Sequence, residues 1–67
     1  MKDNEIEKFL GKNVIVFFAD GSTSVGVLGK GETCYGNKWI GKGYHLERNF
    51  QGGLGFKKSH VRKITEA

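Results

Sequence analysis

A single cysteine, Cys34, excludes an internal disulfide, and with nothing to suggest export it points to a reducing, cytoplasmic setting. Long apolar runs are missing too. The longest, Val14 to Ala19, covers six residues, and the first residues are acidic, so the pattern holds neither a membrane-spanning nor a secretory segment. Histidine is scarce: His45 and His60 stand at spacings from Cys34 that match no zinc pattern. No carboxylate pair or Ser/His/Asp set stands out, and Cys34 has no adjacent His or acid, so it reads as a small buried residue rather than a nucleophile. The stretch Gly36 to Gly43 nearly spells a phosphate-binding loop, but Gly43 stands where Ser or Thr should ligate magnesium, and no strand–loop–helix unit follows. A chain of 67 residues has little room for a deep pocket. These absences argue against an enzyme, a cofactor or a metal site. There is no linker, low-complexity tract or repeat, and the two Gly-Lys-Gly triplets are too short to count. Residues 1–67 therefore make one domain, and its core is thin, since a chain this short buries only about 60% of its unfolded surface.

What is there is organised around Val14 to Leu28. Val14-Ile15-Val16-Phe17-Phe18 is β-branched or aromatic throughout, which suits a largely buried strand. Asp20-Gly21 supplies the chemistry of a tight hairpin turn, and Thr23, Val25 and Val27 alternate with small residues on the return. Two registers are open. A two-residue turn pairs Phe18 with Thr23, Val16 with Val25 and Val14 with Val27, while a three-residue loop with Gly21 as a bulge shifts the register by one and flips the face. Gly26 in mid-strand costs stability, so its use is a sharp bend where a sheet curls into a barrel.

Before this hairpin, Asp3 or Asn4 can cap a short helix over about residues 3–10, with Ile6, Phe9 and Leu10 on one face and Gly11 ending it. Two turns are too few to stand alone, so the helix is expected to lie on the sheet and close one end of it. Its acidic polar face, with Glu5 and Glu7, makes it a plug rather than a recognition element. After the hairpin, Gly29 to Asn37 reads as a loop or an irregular continuation of the second strand. Lys38 to Glu47 is a strand candidate interrupted by Gly41-Lys42-Gly43, either two short strands or one bulged one. Arg48 to Gly53 is a turn with its tip at Asn49 to Gly53, Leu54 and Phe56 mark a fourth strand, Lys58-Ser59-His60 a corner, and Val61 to Thr65 a last strand.

The spacing Val14, Val16, Phe18, Asp20-Gly21, Gly26, Leu28 resembles the first motif of Sm-like proteins, bacterial Hfq included. The segment Phe56-Lys57-Lys58-Ser59-His60-Val61-Arg62-Lys63-Ile64 resembles the second, with Lys58 on the family's lysine, Ser59 on its histidine and His60 on its alanine. The resemblance implies a mainly β fold, a small five-stranded Sm-like or SH3-like barrel spanning about residues 13–65 behind a short helix. It also implies a site for uridine-rich RNA at Lys58 and its neighbours, lysine being a phosphate partner and small polar groups reading base edges. In the family's other half-site, the loop after the second strand, the aromatic is absent from Gly31 to Cys34, and Tyr35 is the residue that stands in for it.

Charge agrees with a basic second half. Met1 to Lys8 carries a net −1, whereas Lys30 to Lys63 carries six lysines and two arginines against Glu32 and Glu47, a net +6. The plain alternative is that scattered lysines only solvate strand exteriors. Lys38, Trp39, Lys42 and Tyr44, followed by Arg48 and Phe50, interleave aromatics with cations as base-stacking platforms do, and resemble the Trp-bearing strand of small archaeal chromatin-protein barrels over a few residues. Trp39 is equally the largest side chain available to a core-poor domain. The reading is a non-catalytic binding module for nucleic acid, RNA before DNA, with Lys57, Lys58, Ser59, His60, Arg62, Tyr35, Lys38, Trp39 and Lys42 as contacts. The other reading is an adaptor or inhibitor, as small cytoplasmic or phage-encoded barrels often are. It meets an acidic protein partner through the basic face, with Trp39, Tyr35 or Phe50 as anchors. Lys57 and Lys58 on the edge Leu54 to Lys58, and the long Gly31–Gly53 excursion, point to a monomer or dimer rather than a closed ring.

Overall fold

The first strand sets the geometry. In the computed structural model, which describes residues 1–48 and 52–67, β1 runs Asn13–Phe18 and β2 runs Thr23–Lys30. They pair as Val14 with Gly26, Val16 with Ser24 and Phe17 with Thr23. Of the two registers open from the sequence, this is the three-residue loop. The Phe18 carbonyl accepts from Gly21 N–H at 3.0 Å, Phe18 N–H donates to Ser22 O at 2.8 Å, and Gly21 takes φ +93°, where glycine alone is unstrained. Ser22 N–H and its hydroxyl both donate to Asp20 Oδ1, at 2.9 and 2.6 Å, and hold that carboxyl below its usual range. The consequence is a flipped face. Val14 and Val16 point inward with Gly26 and Leu28, while Val25 and Val27 are left exposed.

The chain then adds β3 (Thr33–Tyr35), β4 (Lys38–Ile40), β5 (Tyr44–Arg48), β6 (Gly52–Phe56), a 3-10 turn (Lys58–His60) and β7 (Val61–Glu66). Five strands form one antiparallel sheet in the order β6-β5-β2-β1-β7, and β3 and β4 form a separate hairpin. The interrupted segment Lys38 to Glu47 is thus two strands. The fold is mainly β, but the closed barrel expected from the sequence is not found: among the described residues, no ladder joins β7 to β6. The inner face is covered by side chains instead. Phe18 meets Phe56 edge to face at 5.4 Å, and Val61 and Ile64 of β7 share one buried cluster with Val14, Val16, Leu28, Tyr44, Leu46 and Phe56. Gly26 lets β2 approach β5, for a Cβ there would stand 2.7 Å from the Glu47 carbonyl oxygen.

The helix α1 spans Asp3–Glu7, shorter than expected, and single turns carry the chain on to Gly11, which takes φ +80°. Ile6 is fully buried in the core, with Met1, Phe9 and Leu10 packed beside it, so the helix covers one part of the inner face as a plug. The expected cap is corrected. Lys2 holds the N-cap position with no side-chain bond, because the Asp3 carboxylate is drawn outward to β5 and the 3-10 turn. Among the described residues, no helix is long and apolar enough to cross a membrane. The expected contact at Phe50 and the turn tip from Asn49 lie at or beside residues 49–51, outside those described.

Candidate nucleic-acid interface

The Gly-rich excursion becomes a paired hairpin seated on the sheet. Gly31 and Gly43 both take positive φ, +95° and +110°, and Gly31 N–H donates to Gly43 O at 3.0 Å, closing the base of the β3–β4 hairpin where it leaves the sheet. The hairpin folds against the outer face of β5 and β6, where glycines keep β6 bare. Trp39 would be met by any Cβ on Gly53, and the Glu32 backbone by any Cβ on Gly55. Trp39 stacks face to face on His45, centroids 4.1 Å apart and planes within 5°. His45 in turn lies over Gly29, with its Nδ1 3.1 Å from Gly31 O and its Nε2 3.4 Å from Glu47 Oε1. A carbonyl only accepts, so Nδ1 carries a proton and donates. Trp39 therefore serves as the centre of a satellite core between hairpin and sheet.

The pairing Tyr35 with Lys38 and Thr33 with Ile40 places those four side chains on the hairpin face opposite Trp39. Tyr35 is 80% exposed and Ile40 44% exposed, and Lys38 is exposed beside them. A flat aromatic ring held across from an ammonium on a seated hairpin can stack on a base while the cation meets its phosphate. Cys34, expected to be buried, is exposed on the short hairpin, its thiol donating to Gly36 O at 3.2 Å. It sits in a three-residue strand at the end of an excursion, where none of the described residues buries it.

A second feature lies where α1, the Gly41–Tyr44 corner and the 3-10 turn meet, an open cleft of about 880 Å³. Lys30, Lys42, Lys57, Lys58 and Ser59 line it together with Asp3, Glu7, Glu32 and Tyr44. Lys58 Nζ donates to Asp3 Oδ2 at 3.0 Å and the Tyr44 hydroxyl to Asp3 Oδ1 at 3.0 Å. Bonding from Lys58 and then from Tyr44 holds the Asp3 carboxyl below its usual range. Burial, followed by the bond to Asp3, pushes the Tyr44 phenol up to about 12. Lys30 Nζ is 2.9 Å from Glu7 Oε1. Lys42 and Lys57 have no carboxylate partner among the described residues.

The residues singled out from the sequence thus fall into separate groups. Lys42, Lys57, Lys58 and Ser59 share the cleft, and Tyr35 and Lys38 share the outer hairpin face. Trp39 points the other way, into its stack with His45. His60 lines a different, smaller hollow of about 490 Å³ beside Phe18, Leu54 and Phe56, because side chains in a 3-10 turn diverge by about a third of a turn per residue and His60 is carried away from Lys58 and Ser59. Arg62 is exposed on β7 and is not among the residues lining the cleft. Sequence reasoning missed Asp3, Glu7, Lys30 and Tyr44 as cleft residues. No local signal marks them, since Asp3 meets Tyr44 and Lys58 across 41 and 55 residues of chain. In comparisons with protein-family models, curated proteins and solved structures, no match was found.

Proposed function

We propose that this chain is a non-catalytic binding module for nucleic acid, single-stranded RNA before DNA, acting in the cytoplasm. The observation that carries the reading is the Tyr35–Lys38 pair: an aromatic ring 80% exposed, directly across from a lysine, on a hairpin seated by Trp39 and His45. Lys42 and Lys57 continue the cationic surface into the cleft, where Ser59 offers a hydroxyl for base or phosphate. The resemblance to Sm-like proteins belongs to this proposal too. A helix followed by five antiparallel strands in one sheet supports it, short of barrel closure.

Titration of labelled uridine-rich and adenine-rich oligonucleotides at two salt concentrations tests the reading. Tyr35→Ala should cost about 1–3 kcal/mol on either sequence, the worth of one base stacked on an aromatic ring. Lys38→Ala, Lys42→Ala and Lys57→Ala should each lower the slope of log K against log salt by about 0.7. Absence of binding at low salt overturns the reading.

A second reading, an interaction module for an acidic protein, is favoured by Ile40, an exposed aliphatic beside Tyr35 that offers nothing to a phosphate. Under that reading Ile40→Ser weakens the complex as much as Tyr35→Ala. Under the nucleic-acid reading it changes little.

A further inference from the structure

Two of the four lysines in the cleft are already occupied, and both are occupied by α1. Lys58 is bound to Asp3 at 3.0 Å and Lys30 to Glu7 at 2.9 Å, one turn apart on the helix, whereas Lys42 and Lys57 in the same cleft carry no carboxylate among the described residues. All four side chains of these ion pairs remain well exposed, from 39% to 62%. Exposed ion pairs are weak and exchange readily with other anions. The helix is docked by Ile6, buried in the core, so Glu7 can swing aside and Asp3 Oδ2 can release Lys58, with Oδ1 kept on the Tyr44 hydroxyl, while α1 stays docked.

We infer that Asp3 and Glu7 act as built-in competitors for the phosphodiester backbone. They stand in for ligand phosphates at Lys58 and Lys30 and thereby limit how tightly the cleft holds nucleic acid. This rests on the nucleic-acid reading above and adds specificity-setting residues to it. In the free protein Lys42 and Lys57, in no ion pair among the described residues, offer two phosphate partners in a cleft that Glu32 also lines. Lys30 and Lys58 become partners only when a phosphate displaces a carboxylate. A ligand that reaches across the cleft, as a strand of several nucleotides does, can displace both. A mononucleotide reaches fewer of the four amines. The device therefore favours extended strands over free nucleotides.

The test is a double substitution, Asp3→Asn with Glu7→Gln, which removes two charges and keeps an oxygen able to accept from the Tyr44 hydroxyl. Two freed lysines should steepen the salt slope for a single-stranded oligonucleotide by about 1.4, at about 0.7 per contact, and tighten binding at about 50 mM salt by roughly ten-fold or more. The matching control is Glu5→Gln with Glu66→Gln, the same charge change with Lys12 as the only ion-paired lysine released, away from the cleft. Adding Lys30→Gln and Lys58→Gln to the first double variant should abolish its gain. In the wild-type background that lysine pair should cost less affinity than Lys42→Gln with Lys57→Gln. Glu7→Gln alone, which leaves the Asp3–Tyr44 bond intact, should give about half the change in slope and shows the effect even where Asp3→Asn loosens the helix. An equal gain from the control pair would mean net charge alone is at work and overturns the inference while leaving the nucleic-acid reading in place. Absence of binding by wild type and every variant overturns both.

Discussion

Replacing Gly26 with valine puts a residue of higher strand propensity in the middle of a strand, and the structure says it should nonetheless destabilise the protein. Gly26 faces inward opposite Val14, where β2 crosses close to β5. Its missing Cβ would stand 2.7 Å from the Glu47 carbonyl oxygen and 3.1 Å from both Leu46 Cβ and Arg48 Cγ. Arg48 Cγ belongs to a flexible side chain and can give way. The Glu47 oxygen is backbone, and moving it shifts β5, which also carries Tyr44 and Leu46 in the core. Inserting atoms into a packed site of this kind costs about 1–3 kcal/mol. Better strand propensity returns at most about 1 kcal/mol. The net expectation is a loss of about 1–2 kcal/mol, or a fall of roughly 5–15 °C in Tm for a domain of this size. Urea and thermal denaturation followed by circular dichroism give both numbers. The exposed neighbour Val25 supplies the comparison, for Val25→Thr should shift stability by no more than about 0.5 kcal/mol. A Gly26→Val variant as stable as wild type, or more so, would refute the close approach of β2 to β5.

Four further outcomes follow from the same geometry. Gly29→Ala drives a methyl into the His45 ring and should unseat its stack on Trp39, seen as a red-shifted tryptophan emission with the five-stranded sheet retained. Asp3 and Asp20 have depressed folded-state pKa values, so the stability they contribute is present above the ordinary carboxylate pKa of 3.8 and is lost as pH falls below it; Asp3→Asn should flatten that acid limb in a melting-temperature profile. Tyr44 is shifted the other way, so its contribution is full below 10 and disappears as pH rises through about 12, and ultraviolet titration of a Tyr35→Phe variant, with Tyr44 its only tyrosine, should show a midpoint of about 12. Cys34, being exposed, should react with a thiol reagent in the native protein as fast as in denaturant, whereas a protected thiol would contradict its place on the hairpin.

Much of the architecture was legible because it rests on local chemistry. The β-branched run Val14 to Phe18, the Asp20-Gly21 turn and the corner at Lys58 to His60 each act within a few residues and stand where the pattern put them, while the helix starts as expected but ends at Glu7, short of Gly11. Ile6 was readable as a core residue for the same reason, sharing one helical face with Phe9 and Leu10. Val61 and Ile64, three apart in a strand, reach the same core only through the register shift of β7 against Phe17 and Phe18 of β1. Two local choices stayed open until the fold resolved them. Both hairpin registers satisfy Asp20-Gly21, and only packing against β5, which admits Gly26 and not Val25 or Val27 on the inner face, selects the three-residue loop. Trp39 reads alike as core or platform, and the bare glycines of β6 and the His45 ring decide that it packs inward and leaves Tyr35 outside.

By itself the sequence determined a small, mainly β chain with a helical plug and a basic second half, because strand propensity, turn chemistry and charge are properties of neighbouring residues. Only the tertiary structure decided which lysines are free. The acidic helix belongs to the first residues and the basic corner to the last, and ion pairs between them exist because Ile6 docks α1 against the same core that carries Tyr44 and Val61. Coulomb interactions act through space, and charges counted along the chain cannot reveal that Lys58 and Lys30 are neutralised while Lys42 and Lys57 are not.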